Sequence, residues 1–221
     1  TVGMVSRTHV VPISHSQDTA GPMANSVMDA ALLLGAIAGS DPADPATKDA
    51  DSHLRDFTQG LATASLRGVR IGVLRKQAGD FAPVTALFDA ALADLRRAGA
   101  ELVEIDYSPS DEMYRDEFTV LLYELREDLG TYLAGSPAHI PVRSLADVIA
   151  FDKAHAAEEM RWFGQDIFEQ ADNTTDRAAY RAARENALNL AGEQGIDRLL
   201  REGLENGGLD ETTRVVYVSP L

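Results

Sequence analysis

The segment His9 to Met23, HVVPISHSQDTAGPM, places a hydroxyl, an imidazole, a second hydroxyl and a carboxylate within five positions, at Ser14, His15, Ser16 and Asp18. These are the residue types of hydrolysis through a serine nucleophile. A histidine takes the hydroxyl proton and a carboxylate orients the imidazole. Neighbours in sequence do not make such a triad, because its side chains converge from separated elements. The chain also lacks a Gly-x-Ser-x-Gly turn, which would expose a serine at the top of a sheet. A self-contained Ser-His-Asp enzyme is therefore the minor reading.

Two other clusters invite metal chemistry. His155 and Glu159 stand four apart with Glu158 beside them, but no second histidine lies at ligand spacing, and an exposed charge pair on a helix explains them. Asp41, Asp44, Asp49 and Asp51 form an acidic loop, yet two prolines interrupt it, and the glycine and bidentate glutamate of a calcium loop are missing. Neither cluster is taken as a metal site, and no cofactor is expected. The aromatic residues Phe118, Tyr123, Tyr132, Phe151, Trp162, Phe163 and Phe168 are first of all core-packing residues, with a substrate-pocket wall as the second reading.

The elements that hold these groups follow from periodicity and caps. Ser26 and Asp29 form a capping box before Val27 to Ala38, which is apolar almost all round, so a helix packed on more than one side is predicted. It stops at Gly39 and leads into the Asp- and Pro-rich loop, where Asx turns are expected. Val69 to Arg75 reads as a strand, a helix follows from about Pro83, and Glu101 to Asp106 reads as a second strand. Gly99 sits where a helix ends in a left-handed residue. This is a βαβ unit, so parallel strands are predicted. Helices are predicted over about 110–134, over 144–171 with a Ser144/Asp147 capping box, over 176–191 and over 196–204, with Val215 to Val218 as one more strand.

Composition narrows the classes. Zero cysteines exclude disulfides and thiolate chemistry. Thirty-five acidic against 20 basic residues give a net charge of −15, which repels a polyanion, so no nucleic-acid partner is expected. No apolar run of about 18 residues is present, so a soluble chain without a membrane partner is expected. The compartment stays open, with the cytoplasm as the preferred reading.

The stretch TVGMVSRTHVVPISHSQDTAGPMANSVMDAALLLGAIAGSDPADPAT resembles the segment that follows the nucleophile in the amidase signature family, serine hydrolases that cleave C–N amide bonds. Ser-Gln-Asp-Thr-Ala-Gly-Pro-Met is its most specific piece. LLYELREDLGTYL (Leu121 to Leu133) and SLADVIAFDKAHAAEEMRWFGQDIFEQA (Ser144 to Ala171) are similar to the subgroup that contains bacterial peptide amidase. The resemblance implies an α/β fold, part of a central mixed and largely parallel sheet flanked by helices. One partial domain over 1–221 is expected: a loop, apolar helix and Asp-rich loop over 1–60, the βαβ unit over 68–107, a helical region over 110–205 and a divergent tail over 206–221.

The family's catalytic groups are a nucleophile serine, a second serine joined through a cis peptide bond, and a lysine. The lysine accepts a proton through the bridging serine, an acyl-enzyme forms, backbone amides hold the oxyanion, and water completes the reaction. These groups precede a Lys-Pro-Thr whose Thr matches Thr1, and neither Lys48, Lys76 nor Lys153 lies near a Gly- and Ser-rich run. The chain is therefore expected to be a fragment with no catalytic residue of its own. The resemblance makes Ser14, His15, Ser16, Gln17, Asp18, Thr19, Tyr123, Phe151 and Trp162 the substrate-wall candidates, with a small-molecule or peptide amide as substrate. It leaves a complementary chain carrying the triad as a partner to look for. The opposing reading is a noncatalytic binding protein or a nonfunctional piece.

Overall fold

The computed structural model describes residues 2–205 and 214–216. They fall into two units, Thr1–Ala62 with Asp116–Arg184, and Thr63–Arg115 with Glu185–Leu221.

In the first unit, helix α1 spans Val27–Ile37, and Ser26 accepts the Asp29 backbone N–H as the capping box requires. The expected packing on several sides is not observed. No residue of α1 is buried, and Val27 and Leu32 are 72% and 58% exposed. The apolar composition that predicted a core helix makes it an exposed apolar one among the described residues.

After α1 the chain turns through the Asp-rich segment. Asp41 accepts the Ala43 N–H at 2.9 Å, the expected Asx turn, and Asp51 takes both the N–H and the hydroxyl of Ser40 at 2.8 and 2.7 Å.

The core of this unit is helical. Leu125, Leu129, Leu145, Ile149 and Ala171 form one buried cluster, backed by Leu122, Leu133, Val148 and Phe168. Helix α3 spans Asp111–Ala134, α4 spans Leu145–Ala154 behind the Ser144 cap, and α6 spans Asp166–Asn173. The single helix predicted over 144–171 is thus broken. His155 ends α4, with its backbone N–H and ring Nδ1 both turned to Phe151 O. A single turn, α5 (Ala156–Glu159), follows before Gly164 and Gln165 redirect the chain into α6. Gln165 donates to Ile149 O at 3.1 Å and ties this bend to α4.

The second unit is the βαβ element with one added strand. β1 (Arg70–Val73) pairs in parallel with β2 (Glu101–Glu104) on one side and with β3 (Arg214–Val216) on the other, giving the order β2-β1-β3. Register runs Arg70 to Glu101 through Val73 to Glu104, and Ile71 to Arg214 through Val73 to Val216. β1 is the central strand, and Ile71, Gly72 and Val73 are all buried, as expected for a strand covered on both faces. The crossover helix α2, Ala82–Arg97, carries Pro83 in its first turn and buries Leu92. Gly99 has φ +100°, and a Cβ there would meet Arg67 Cγ at 2.9 Å, so glycine is required twice over. The last predicted strand begins as expected, while Tyr217 and Val218 lie outside the described residues.

Helix α7 spans Arg177–Ala191, its residues through Arg184 belonging to the first unit. It leads by a wide turn over Gly192–Ile196 into α8, Asp197–Glu205. Among the described residues no helix is long and apolar enough to cross a membrane.

Candidate functional site

The loop from Ser14 to Thr19 is held by a carboxylate 110 positions away. Glu124, in the middle of α3, is fully buried, and its Oε2 accepts the Ser14 hydroxyl at 2.5 Å, the Ser16 hydroxyl at 2.8 Å and the Ser16 N–H at 3.2 Å. Its Oε1 accepts the Tyr180 hydroxyl of α7 at 2.6 Å. Tyr180 in turn stacks on Tyr123, with ring centroids 4.2 Å apart and planes 12° from parallel. A buried carboxylate is tolerated only when such donors replace its hydration. Burial pushes the Glu124 carboxyl up, but the bonds from Ser14, Tyr180 and Ser16 outweigh it, and its pKa ends below the ordinary value. Burial and the Glu124 carboxylate push the Tyr180 phenol up to about 12.

One helical turn on from Glu124, Asp128 accepts the His15 N–H at 2.6 Å and faces His15 Nδ1 at 3.0 Å. The other ring nitrogen, Nε2, lies 3.6 Å from Glu124 Oε1. Asp18 closes the loop on itself, its carboxylate taking the N–H groups of Ile13 and Ser14 at 2.8 and 2.9 Å. The side chain of Arg7 links this loop to the acidic one. It forks onto Asp44 through Nε at 3.0 Å and Nη2 at 2.9 Å, and its Nη1 reaches His15 O at 2.6 Å. The Arg7 bonds hold the Asp44 carboxyl well below the usual carboxylate range. Ser6 and Thr8 do the same for Asp41, lowering its pKa.

In this geometry both serines bond away from the histidine. Among the described residues no hydrogen bond joins His15 to Ser14 or Ser16. Both hydroxyl protons go to Glu124 instead, a carboxylate whose lowered pKa makes it a poor base. Ser14 has no exposed surface from which to attack a substrate. The arrangement is an anchor and not a nucleophile–base pair.

His15, Glu124 and Asp128 also offer three possible metal-ligand atoms within 4.8 Å of one another. Four donors already occupy the Glu124 oxygens and His15 Nδ1 faces Asp128, so hydrogen bonding alone accounts for the cluster. At the other metal candidate of the sequence, His155 Nδ1 is engaged with Phe151 O at 2.8 Å.

Of the predicted wall residues, Tyr123 joins the loop through Tyr180 and Glu124. Gln17 and Thr19 are exposed beside the anchored serines. Phe151 and Trp162 are not part of this network. Phe151 stacks on His155 at 4.1 Å, and Trp162 is 81% exposed beneath the Arg161 guanidinium at 4.8 Å. A cavity of about 300 Å³ opens beside the loop, lined by Arg7, His15, Asp18, Asp128 and Tyr132 among others. Sequence reading missed Glu124, Asp128, Tyr180 and Arg7. A signal for Glu124 was present: it stands four residues after Val120 and directly before Leu125, in a stripe that is otherwise buried and apolar.

Comparison with known proteins identifies the family of the chain. The amidase family model matches residues 1–202. A probable amidase of Arabidopsis thaliana is 35% identical over 209 residues, covering 91% of this chain and 39% of that protein. The structure of native peptide amidase from Stenotrophomonas maltophilia superposes with a TM-score of 0.80 at 44% identity, covering 92% of this chain and 42% of that one. That of an amidase family protein from Bacillus anthracis gives 0.75 at 30%, covering 95% and 40%. The chain spans about two fifths of the length of each of these relatives, and its parallel sheet and helices are part of their α/β amidase signature fold. With 202 of its 221 residues matched by the family model, the chain belongs to the amidase family.

Proposed function

We propose that this chain forms one wall of an amide-hydrolysing site whose nucleophile serine, bridging serine and lysine come from amidase sequence outside residues 1–221. The observation that carries the reading is the likeness to peptide amidase, at 44% identity and a TM-score of 0.80 over 92% of the chain. The substrate class is a small-molecule or peptide amide, and the Ser14–Thr19 loop with Tyr123 is the part of the wall that the geometry gathers in one place. The net charge of −15 fits a neutral amide substrate better than a polyanion.

The second reading is a noncatalytic chain that binds a ligand or partner. One experiment separates the two. The 221-residue chain is assayed for ammonia release from a C-terminal peptide amide, alone and co-expressed with the remaining part of an amidase domain from a relative. No turnover alone and turnover on co-expression is the expected result. Turnover by the rigorously purified chain alone would sink the proposal, and none in either case would favour the noncatalytic reading.

A further inference from the structure

The Ser14–Thr19 loop alternates in exposure. Ser14 is buried and Ser16 and Asp18 are half-buried, whereas His15, Gln17 and Thr19 are exposed. All three inward side chains are hydrogen-bonded, two of them to a single atom, Glu124 Oε2. That oxygen also takes the Ser16 N–H, so it fixes backbone as well as side chains.

We propose that Glu124 is the positioning residue of this loop: it holds alternate residues against α3 and so presents Gln17 and Thr19 outward as the loop's ligand-facing groups. This rests on the reading of the loop as the wall of an amide site. The chemistry suits that role, since the Gln17 carboxamide offers one acceptor and two donors and the Thr19 hydroxyl offers both, complementary to the C=O and N–H of an amide. The other outward residue, His15, is tied to Asp128 through both its backbone N–H and its ring. Tyr180, stacked on Tyr123, supports Glu124 from the opposite side by donating to Oε1. A negatively charged acceptor bonded by three groups of the loop is a stronger anchor than a neutral one, because hydrogen bonds to an ionised group are about twice as strong.

The test is amide hydrogen exchange on the 221-residue chain, comparing amides 13–19 with core amides of α3 at Leu125 and Leu129. Glu124→Gln keeps the size and removes the charge. It is expected to raise exchange in the loop about tenfold or more while the core amides stay within about twofold. Ser16→Ala is expected to raise loop exchange less, and the double variant to go no further than Glu124→Gln alone, because both remove one interaction. Gln17→Ala is expected to leave loop exchange unchanged. Equal increases in loop and core, or an unchanged loop, would overturn the proposal. If Glu124→Gln does not fold, the comparison of Ser16→Ala with Gln17→Ala decides in its place, and equal effects there overturn it. None of these readouts needs turnover, so their failure is distinct from failure of the amidase reading.

Discussion

Two charged groups, Glu124 and Arg7, organise the loops of the candidate site, and the carboxylates they involve respond to pH in the same direction. The folded pKa of Glu124 lies below its ordinary value, so its contribution is fully present above the unfolded value of about 4.3 and is lost as pH falls through the folded one. Between pH 7 and 5, loop exchange corrected for intrinsic rate should stay flat. Loosening between pH 7 and 5 would contradict the anchor. The carboxyl of Asp44, held low by Arg7, follows the same sign. Arg7→Ala should cost about 2–3 kcal/mol in urea unfolding at pH 7, because a nearly buried carboxylate loses its bidentate partner. Arg7→Lys should recover only part of that loss, since an ammonium cannot fork onto both oxygens. A cost below about 0.5 kcal/mol for Arg7→Ala would show that the pair is merely superficial. None of these partnerships was legible in the sequence, where 37 positions separate Arg7 from Asp44 and 110 separate Ser14 from Glu124. The triad that Ser14, His15 and Asp18 suggest by residue type was set aside because sequence neighbours do not converge, and the bonding of both serines to Glu124 agrees.

Elements were far more legible than contacts, because their signals are local. The capping residues Ser26 and Ser144, the βαβ unit and the glycine after α2 could all be read from spacing and from the backbone that glycine alone adopts. Gly99 gives that reading a test. With φ at +100° and Arg67 in the space a side chain would fill, Gly99→Ala should lower stability by about 1–3 kcal/mol, measured by thermal or urea unfolding. A neutral result would mean that the turn relaxes readily. The break between α4 and α6 escaped notice because apolar and charged residues continue through it with helical spacing. What ends α4 is His155 turning its ring nitrogen to Phe151 O, a bond that no hydrophobic pattern announces. The turn at Gly192–Ile196, by contrast, falls in the gap between the helices read over 176–191 and 196–204, and Gly195 leaves helical geometry there at φ −97°, ψ −106°.

On the scale of the whole molecule, charge and apolar surface pull in opposite directions. A net charge of −15 favours solubility through mutual repulsion, yet Val27, Leu32 and Leu33 of α1 lie exposed on a helix with no fully buried residue among the described ones. The chain spans about two fifths of the length of the amidases it matches over most of its own. An apolar helix in that situation is expected to bind a hydrophobic dye and to promote association as ionic strength rises, because salt screens the repulsion and leaves the apolar attraction. The double variant Leu32→Gln with Leu33→Gln removes part of that surface from side chains that are 58% and 41% exposed. It should reduce dye fluorescence and association while changing unfolding free energy by less than about 1 kcal/mol, since exposed side chains contribute little to the fold. Were α1 packed within this chain instead, the same variant would cost several kcal/mol, as two buried leucines do. Dye binding and unfolding measured on one pair of samples therefore distinguish a helix awaiting a neighbour from one already covered. A wild-type chain that stays monomeric in high salt and binds no dye would show that α1 is covered.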